Sequence, residues 1–184
     1  GAGKPTFERA KVLNGAGTLA HHQSDQAAAA ALLAECLVIE RQMATPERLA
    51  VLLGNMGLVA CERGDLASAT ALHEESLAIM REHGNMAGIA AAMNNLAGIA
   101  HHQGDYAKAR VLLEEGLAMK RGLGDRGRLA NSLGNLANVV LDQGDFAAAR
   151  LLYEECLVLM RELGNRPYVA ITLDNLGRVA ALEG

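Results

Sequence analysis

Aromatic side chains make up only 3% of this 184-residue chain, and tryptophan is missing altogether. A core with so few large rings has to be filled by aliphatic side chains and by close approach of backbones. With 51% hydrophobic residues and 20 glycines, that favours helices packed through small side chains. A basic excess is lacking too: the formal charge is −4 at pH 7. Without surplus Lys and Arg to neutralise a phosphate backbone, nucleic acid is not an expected partner. No uninterrupted apolar run is long enough to span a bilayer. The stretch from His83 to Gly104 carries no acidic residue, Lys or Arg, but Asn85, Asn94, Asn95, His101, His102 and Gln103 break it. A lipid-facing helix would have to desolvate all of those amides and imidazoles, so no membrane association is expected.

Cysteine is scarce, with three residues. Cys36 and Cys156 hold equivalent places in sequence units three apart. At roughly 10 Å per stacked helix layer they would lie about 30 Å from each other, well beyond the ~7 Å Cα limit of a disulfide. A reducing, cytoplasmic compartment is expected. The N-terminus, Gly1-Ala2-Gly3-Lys4-Pro5, has no apolar segment of a secretory signal, and residues 1–4 read as a tag remnant or a disordered end.

What the chain has in abundance is self-similarity. The pair Gly-Asp falls at Gly64-Asp65, Gly104-Asp105 and Gly144-Asp145, a period of 40, and one step back the same place is Ser24-Asp25. This register divides residues 5–184 into one array: a divergent unit 5–44, full units 45–84, 85–124 and 125–164, and a leading half-unit 165–184.

Each unit reads as two helices. The leading helix follows a polar residue, Thr45, Asn85, Asp125 or Asn165, whose side-chain oxygen is suited to accept an N–H of the first turn, and Pro46 stands where a missing N–H costs nothing. Leu129, Leu133, Leu136 and Val140 form one apolar stripe at helical spacing, repeated as Ile89, Met93, Leu96 and Ala100. Gly64, Gly104 and Gly144 supply a left-handed turn residue, and the following Asp caps the trailing helix. That helix turns Phe146, Ala149, Leu152, Tyr153, Cys156 and Leu157 inward and ends at Arg161 and Gly164. Nothing alternates with period two, so no strands are expected.

The succession Leu133, Asn135-Leu136-Ala137, Gly144-Asp145-Phe146, Ala149, Tyr153, Cys156-Leu157 resembles the tetratricopeptide repeat family in its longer, roughly 40-residue form. The same order returns as Met93, Asn95-Leu96-Ala97, Gly104-Asp105-Tyr106, Ala109 and Gly116-Leu117. It returns again as Leu53, Asn55-Met56-Gly57, Gly64-Asp65-Leu66, Ala69 and Ser76-Leu77, and Asn175-Leu176-Gly177 opens the last helix. Unit 5–44 departs from it, with Gly15-Ala16-Gly17 and Ser24. The resemblance implies an all-α, right-handed superhelical solenoid of antiparallel helix pairs, about four and a half repeats long, with the leading helices lining a concave groove. Such arrays are similar to those of bacterial signalling ATPases and transcriptional regulators, kinesin light chains and Pins-type adaptors. On that resemblance the groove carries Asn55, Asn95, Asn135 and Asn175 at identical places, with Asn14, Asn94, Asn131, Asn138 and Arg178 nearby. An Asn amide offers an acceptor and two donors and suits the main chain of an extended peptide. The competing reading is that these amides bond neighbouring helices and hold the stack together.

Other groups that invite chemistry are explained by the repeat. Side chains of the adjacent pairs His21-His22 and His101-His102 diverge by about 100° on a helix and do not converge on a metal; solvated or turn-proximal imidazoles are expected. His73 takes a core-facing place and is expected to be packed and hydrogen-bonded. Glu74-Glu75, Glu114-Glu115 and Glu154-Glu155 recur because the trailing helix recurs. Each pair should set one member in solvent and one beside a neighbouring helix, with Arg110–Glu114 and Arg150–Glu154 surface pairs. Neither a dinucleotide-binding glycine pattern nor a P-loop occurs. Cys61 is expected toward the groove and Cys36 and Cys156 in the core, none with a basic activator. No catalytic residue, cofactor or metal is therefore expected. The expected role is a non-enzymatic module binding a protein or peptide segment in its groove, the sensor or scaffold part of a larger signalling protein. The alternative is a structural spacer that self-associates through an uncapped C-terminal helix, where Leu173, Leu176 and Val179 seek a partner.

Overall fold

The computed structural model describes residues 6–43 and 45–183. Among them the chain forms nine helices and no strand: α1 (Phe7–His22), α2 (Gln26–Met43), α3 (Pro46–Glu62), α4 (Leu66–Glu82), α5 (Met86–His102), α6 (Tyr106–Leu123), α7 (Arg126–Asp142), α8 (Phe146–Glu162) and α9 (Arg166–Glu183). The expected all-α fold of repeated helix pairs is present. No helix among the described residues is long and apolar enough to cross a membrane. Two compact units make up the chain, Gly1–Asn95 and Leu96–Gly184.

The turn chemistry follows the register. Gly64, Gly104 and Gly144 have φ of 78°, 78° and 84°, and Ser24, the non-glycine at this place, adopts the same left-handed backbone with φ of 62°. After the turn, Asp25, Asp65, Asp105 and Asp145 each accept from the N–H three residues on, at 3.0–3.1 Å. The leading helices are capped likewise by Asn85, Asp125 and Asn165. Thr45 departs from the expectation: its side chain makes no cap bond. Its main-chain carbonyl instead accepts from Arg48 N and Leu49 N, both at 3.1 Å, with Pro46 starting the helix.

In the first unit α1 packs on α2, α2 on α3 and α3 on α4. Ala10, Leu13, Leu33, Cys36, Ile39, Leu52 and Val59 form its main apolar cluster. The close approach foreseen from composition is visible at Gly57, where an added Cβ would sit 2.6 Å from Nε2 of His73. In the second unit α6 packs on α7, α7 on α8 and α8 on α9, around Leu113, Leu133, Leu136, Val140, Tyr153 and Met160. Its residues at the Gly57 and His73 places are Ala137 and Tyr153, an alanine and a ring that is 1% exposed.

A hydrogen bond not foreseen from sequence ties trailing to leading helix. Cys36 Sγ donates to the Ala10 carbonyl, Ser76 Oγ to Ala50 and Cys156 Sγ to Ala130, at 3.2, 2.8 and 3.2 Å. One small polar side chain on the trailing helix thus meets a carbonyl 26 residues earlier. Burial pushes both thiols above the usual cysteine range, as expected for packed, unactivated groups.

At the C-terminal end, α9 buries only Thr172 and Val179. The expectation that Val179 lacks a partner is corrected, since it is fully covered within the second unit's core. Leu176 is half-buried against the same core, whereas Leu173 is exposed together with Ile171 and Tyr168. The helix turns one edge onto α8 and leaves the other outside.

Candidate functional site

The leading-helix face of the first unit is built from α1 and α3. Asn14 and Asn55, both half-buried, meet there: Asn55 Nδ2 donates to Asn14 Oδ1 at 3.0 Å and reaches Thr18 Oγ1 at 3.5 Å. The Thr18 hydroxyl itself donates to the Asn14 carbonyl at 2.8 Å. Asn14 is one residue out of the 40-residue register, and that offset sets its amide opposite Asn55 across the helix seam. Two recesses flank the pair. Asn14 lines one of about 370 Å³ with Phe7, Lys11, Arg48 and Val51, floored by Cys36, Glu40 and Leu52. Asn55 lines one of about 120 Å³ with Thr18, His21, Leu33 and Leu58.

Among the remaining expected groove residues, Asn94 and Asn95 lie half-buried on α5. On α7, Asn131 and Asn135 are exposed. Asn138 is half-buried and accepts a hydrogen bond from the Tyr153 hydroxyl, which burial pushes up to a pKa of about 12. On α9, Asn175 accepts from Arg178 Nη1 at 3.3 Å, and Arg178 is exposed. Asn14, Asn55 and Asn138 therefore already serve contacts between helices.

The adjacent histidines lie in the last turns of α1 and α5, turn-proximal as expected, with His22 and His102 exposed and His21 and His101 half-buried. His101 Nε2 donates to Asp142 Oδ2 at 2.6 Å, and His21 Nδ1 lies 3.4 Å from Glu62 Oε2, in ion-pair range though not aligned as a hydrogen bond. Each partner stands 41 residues on, at the facing end of the next leading helix, so the pairing joins successive repeats, His21–Glu62 within the first unit and His101–Asp142 within the second. No group of three His, Cys, Asp or Glu side chains among the described residues converges as metal ligands would. His73 is packed as expected, but its Nδ1 finds no hydrogen-bond partner. Burial alone drives its pKa down to about 4, so the ring is neutral at pH 7. The paired glutamates behave as the repeat implies: Glu75 takes Arg41 and Glu155 takes Arg121, at 3.2 and 3.0 Å. Arg110 pairs with Glu114 at 2.8 Å, whereas Arg150 pairs with Glu183 of α9 rather than Glu154. The last helix offered it a carboxylate that helical spacing alone did not reveal.

Two buried charges were missed. Glu40 is 3% exposed and Lys120 4%, at the place that Met80 and Met160 fill in the other units. Glu40 Oε1 accepts from the Arg48 guanidinium, which stacks on the Phe7 ring at 3.9 Å, while Glu40 Oε2 reaches no partner. Lys120 donates to Ser132 Oγ, and its pKa is lowered by burial and by nearby Arg128. Reading the register column by column, a charge standing where methionine stands elsewhere, is the signal that finds both.

The sequence profile of the tetratricopeptide repeat matches residues 47–122 and 128–184. No curated protein matches the chain. Solved structures do. A putative kinesin light chain of Podosopora anserina with nearly identical TPR-like repeats superposes with a TM-score of 0.78 at 17% identity, covering 96% of this chain and 87% of that one. The apo form of RapI gives 0.85 at 16% identity, over 93% of this chain and 62% of its own. A Rap protein complexed with Competence and Sporulation Factor gives 0.78 at 13%, over 96% and 55%. At such identities these likenesses speak for the fold. With the profile covering well over half of the residues, the chain belongs to the tetratricopeptide repeat family.

Proposed function

We propose that this chain is a non-enzymatic interaction module whose leading helices take up an extended segment of a protein or peptide, as the sensor or scaffold part of a larger signalling protein. The observation that carries the reading is the recurrence of amides on these helices: Asn55, Asn95, Asn135 and Asn175 at one register place, with Asn14, Asn94, Asn131, Asn138 and Arg178 around them. Asn131 and Asn135 are exposed on α7, where a ligand's main chain can approach, and the Asn14–Asn55 pair sits between two recesses able to take side chains. A structural relative, the Rap protein, has been solved complexed with Competence and Sporulation Factor. Peptide-array screening followed by calorimetry tests the reading. Asn95→Ala with Asn135→Ala should weaken capture of an array hit at least about tenfold, the loss of two hydrogen bonds, with helicity and melting unchanged. Full binding by that double variant would defeat it.

A second reading is favoured by α9, where Tyr168, Ile171 and Leu173 are 41%, 56% and 45% exposed. Such an apolar edge supports self-association through the C-terminal helix, as in a spacer or assembly scaffold. Sedimentation that depends on concentration in the wild type and not in Leu173→Glu supports it; monomeric behaviour of both removes it.

A further inference from the structure

We infer that the edge formed by α9 and the end of α8 docks an amphipathic helix of a partner protein that carries two acidic side chains seven residues apart. The inference goes beyond the groove reading and uses none of its amides.

The apolar part follows from the register. Six residues of α3, Ala50, Leu53, Asn55, Gly57, Val59 and Ala60, return on α9 as Ala170, Leu173, Asn175, Gly177, Val179 and Ala180. On α3, Ala50, Leu53 and Gly57 are buried against α4, where Ser76 Oγ donates to the Ala50 carbonyl and the His73 ring lies over Gly57. On α9, Ala170 and Gly177 are exposed, Leu173 is 45% exposed, and a Cβ added at Gly177 would meet nothing within 4 Å. The surface on which α4 lies is thus present a second time, uncovered.

The charges name the occupant. A recess of about 340 Å³ between the end of α8 and the start of α9 has Val169, Ala170 and Leu173 as its apolar part and Arg161 and Arg166 as its only charged lining. Among the described residues neither guanidinium has a carboxylate partner. Their counterparts do. Arg41 and Arg121, at the place of Arg161, take Glu75 and Glu155 of the next trailing helix, and Arg126, at the place of Arg166, takes Glu162. Glu155 and Glu162 stand seven residues apart on α8, as Glu75 and Glu82 do on α4. A helix laid on α9 as α4 lies on α3 therefore brings acids at i and i+7 to Arg161 and Arg166. Apolar burial supplies most of the affinity, since exposed ion pairs are weak, and the two acids set sign and direction. Self-association would place a second copy on the same edge, but that copy's own acidic helices α4 and α8 are already seated on α3 and α7.

The probe is residues 65–84 of this chain as a separate, end-blocked peptide. A hydrocarbon staple joins Ala67 and Ala71, both exposed on α4, so that the helix is formed before binding. Titrating the fluorescein-labelled peptide with the full chain should give saturable anisotropy, and ¹⁵N resonances of Arg161, Arg166, Ala170, Leu173 and Gly177 should shift. Glu75→Gln with Glu82→Gln in the peptide should weaken binding about fivefold, the scale of two exposed ion pairs. Arg161→Glu with Arg166→Glu in the chain should weaken the unaltered peptide and reverse the preference toward one with Glu75→Lys and Glu82→Lys. Leu173→Glu should abolish binding without lowering the melting temperature. Asn95→Ala with Asn135→Ala should leave binding unchanged, which separates this edge from the groove. No saturable binding, equal affinity for acidic and basic peptides, or shifts confined to other helices overturns the inference. So does a dimer of the chain alone that Leu173→Glu dissolves and the peptide does not, because the edge then belongs to a second copy.

Discussion

Replacing Gly57 by alanine should destabilise this protein, although alanine is the better helix former by about 1 kcal/mol. The new Cβ would fall 2.6 Å from Nε2 and 2.7 Å from Cε1 of His73, and the imidazole is 1% exposed, with no room to swing away. Overpacking of this kind costs about 1–3 kcal/mol, so the net loss should be up to about 2 kcal/mol. The register provides its own control. In unit 85–124 the same two places are Ala97 and Leu113 and in unit 125–164 Ala137 and Tyr153, all buried, so alanine is accommodated where the facing side chain is seated beside it, and the collision at Gly57 comes from where the His73 ring lies. His73→Leu alone should be neutral or stabilising, since it removes a buried Nδ1 without a partner. In that background Gly57→Ala should stabilise by about 1 kcal/mol, giving a coupling energy of about 1–3 kcal/mol between the sites. Urea unfolding of the four proteins, followed by helical circular dichroism, measures it. Additive effects, or a Gly57→Ala protein more stable than wild type, would refute the steric reasoning.

Acidification acts on the same ring. The folded-state pKa of His73 is about 4, below the ordinary ~6.5 of an unfolded chain. Between these values the unfolded state binds more protons, so the contribution is full above pH 6.5 and is lost as the pH falls toward 4. Between pH 7 and pH 5 the wild type should lose about 2 kcal/mol more than His73→Leu in urea titrations; parallel curves would contradict the burial argument. Lys120→Met, which installs the residue found at Met80 and Met160, should stabilise by about 1–3 kcal/mol by removing a buried cation that donates to the Ser132 hydroxyl. A lower urea midpoint would show the ammonium to be structurally required. Iodoacetamide on the native protein at pH 7 should modify half-buried Cys61 well before Cys36 and Cys156, whose thiols are covered and raised in pKa; mass spectrometry finding Cys36 or Cys156 first would overturn this.

Helix boundaries, turns and caps were legible because they depend on neighbours within one unit: Gly64 turns, Asp65 caps, and the stripe from Leu129 to Val140 faces inward. Even Ser24 obeys, since the register left the backbone no other way to turn. Legibility fails where a partner comes from another unit. Arg150 prefers Glu183 to the nearby Glu154, His101 meets Asp142, and Asn14 reaches Asn55 only through its one-residue offset. Helical spacing fixes which face a side chain takes, but not what the next helix brings to it. Thr45 shows the reverse limit, since a residue of the right type at a cap need not use its side chain when its carbonyl serves. Glu40 and Lys120 escaped because the column they occupy reads as apolar from the units with methionine.

The central claim is that the leading-helix amides hold a bound segment's main chain. It is tested most directly by the side-chain NH₂ resonances of Asn55, Asn95, Asn135 and Asn175 in ¹⁵N spectra, recorded while a peptide selected on an array is titrated in. The account predicts that these resonances shift together and saturate at the calorimetric stoichiometry. Shifts confined to trailing-helix residues such as those of α4 and α8, with the four amides unmoved, would contradict it.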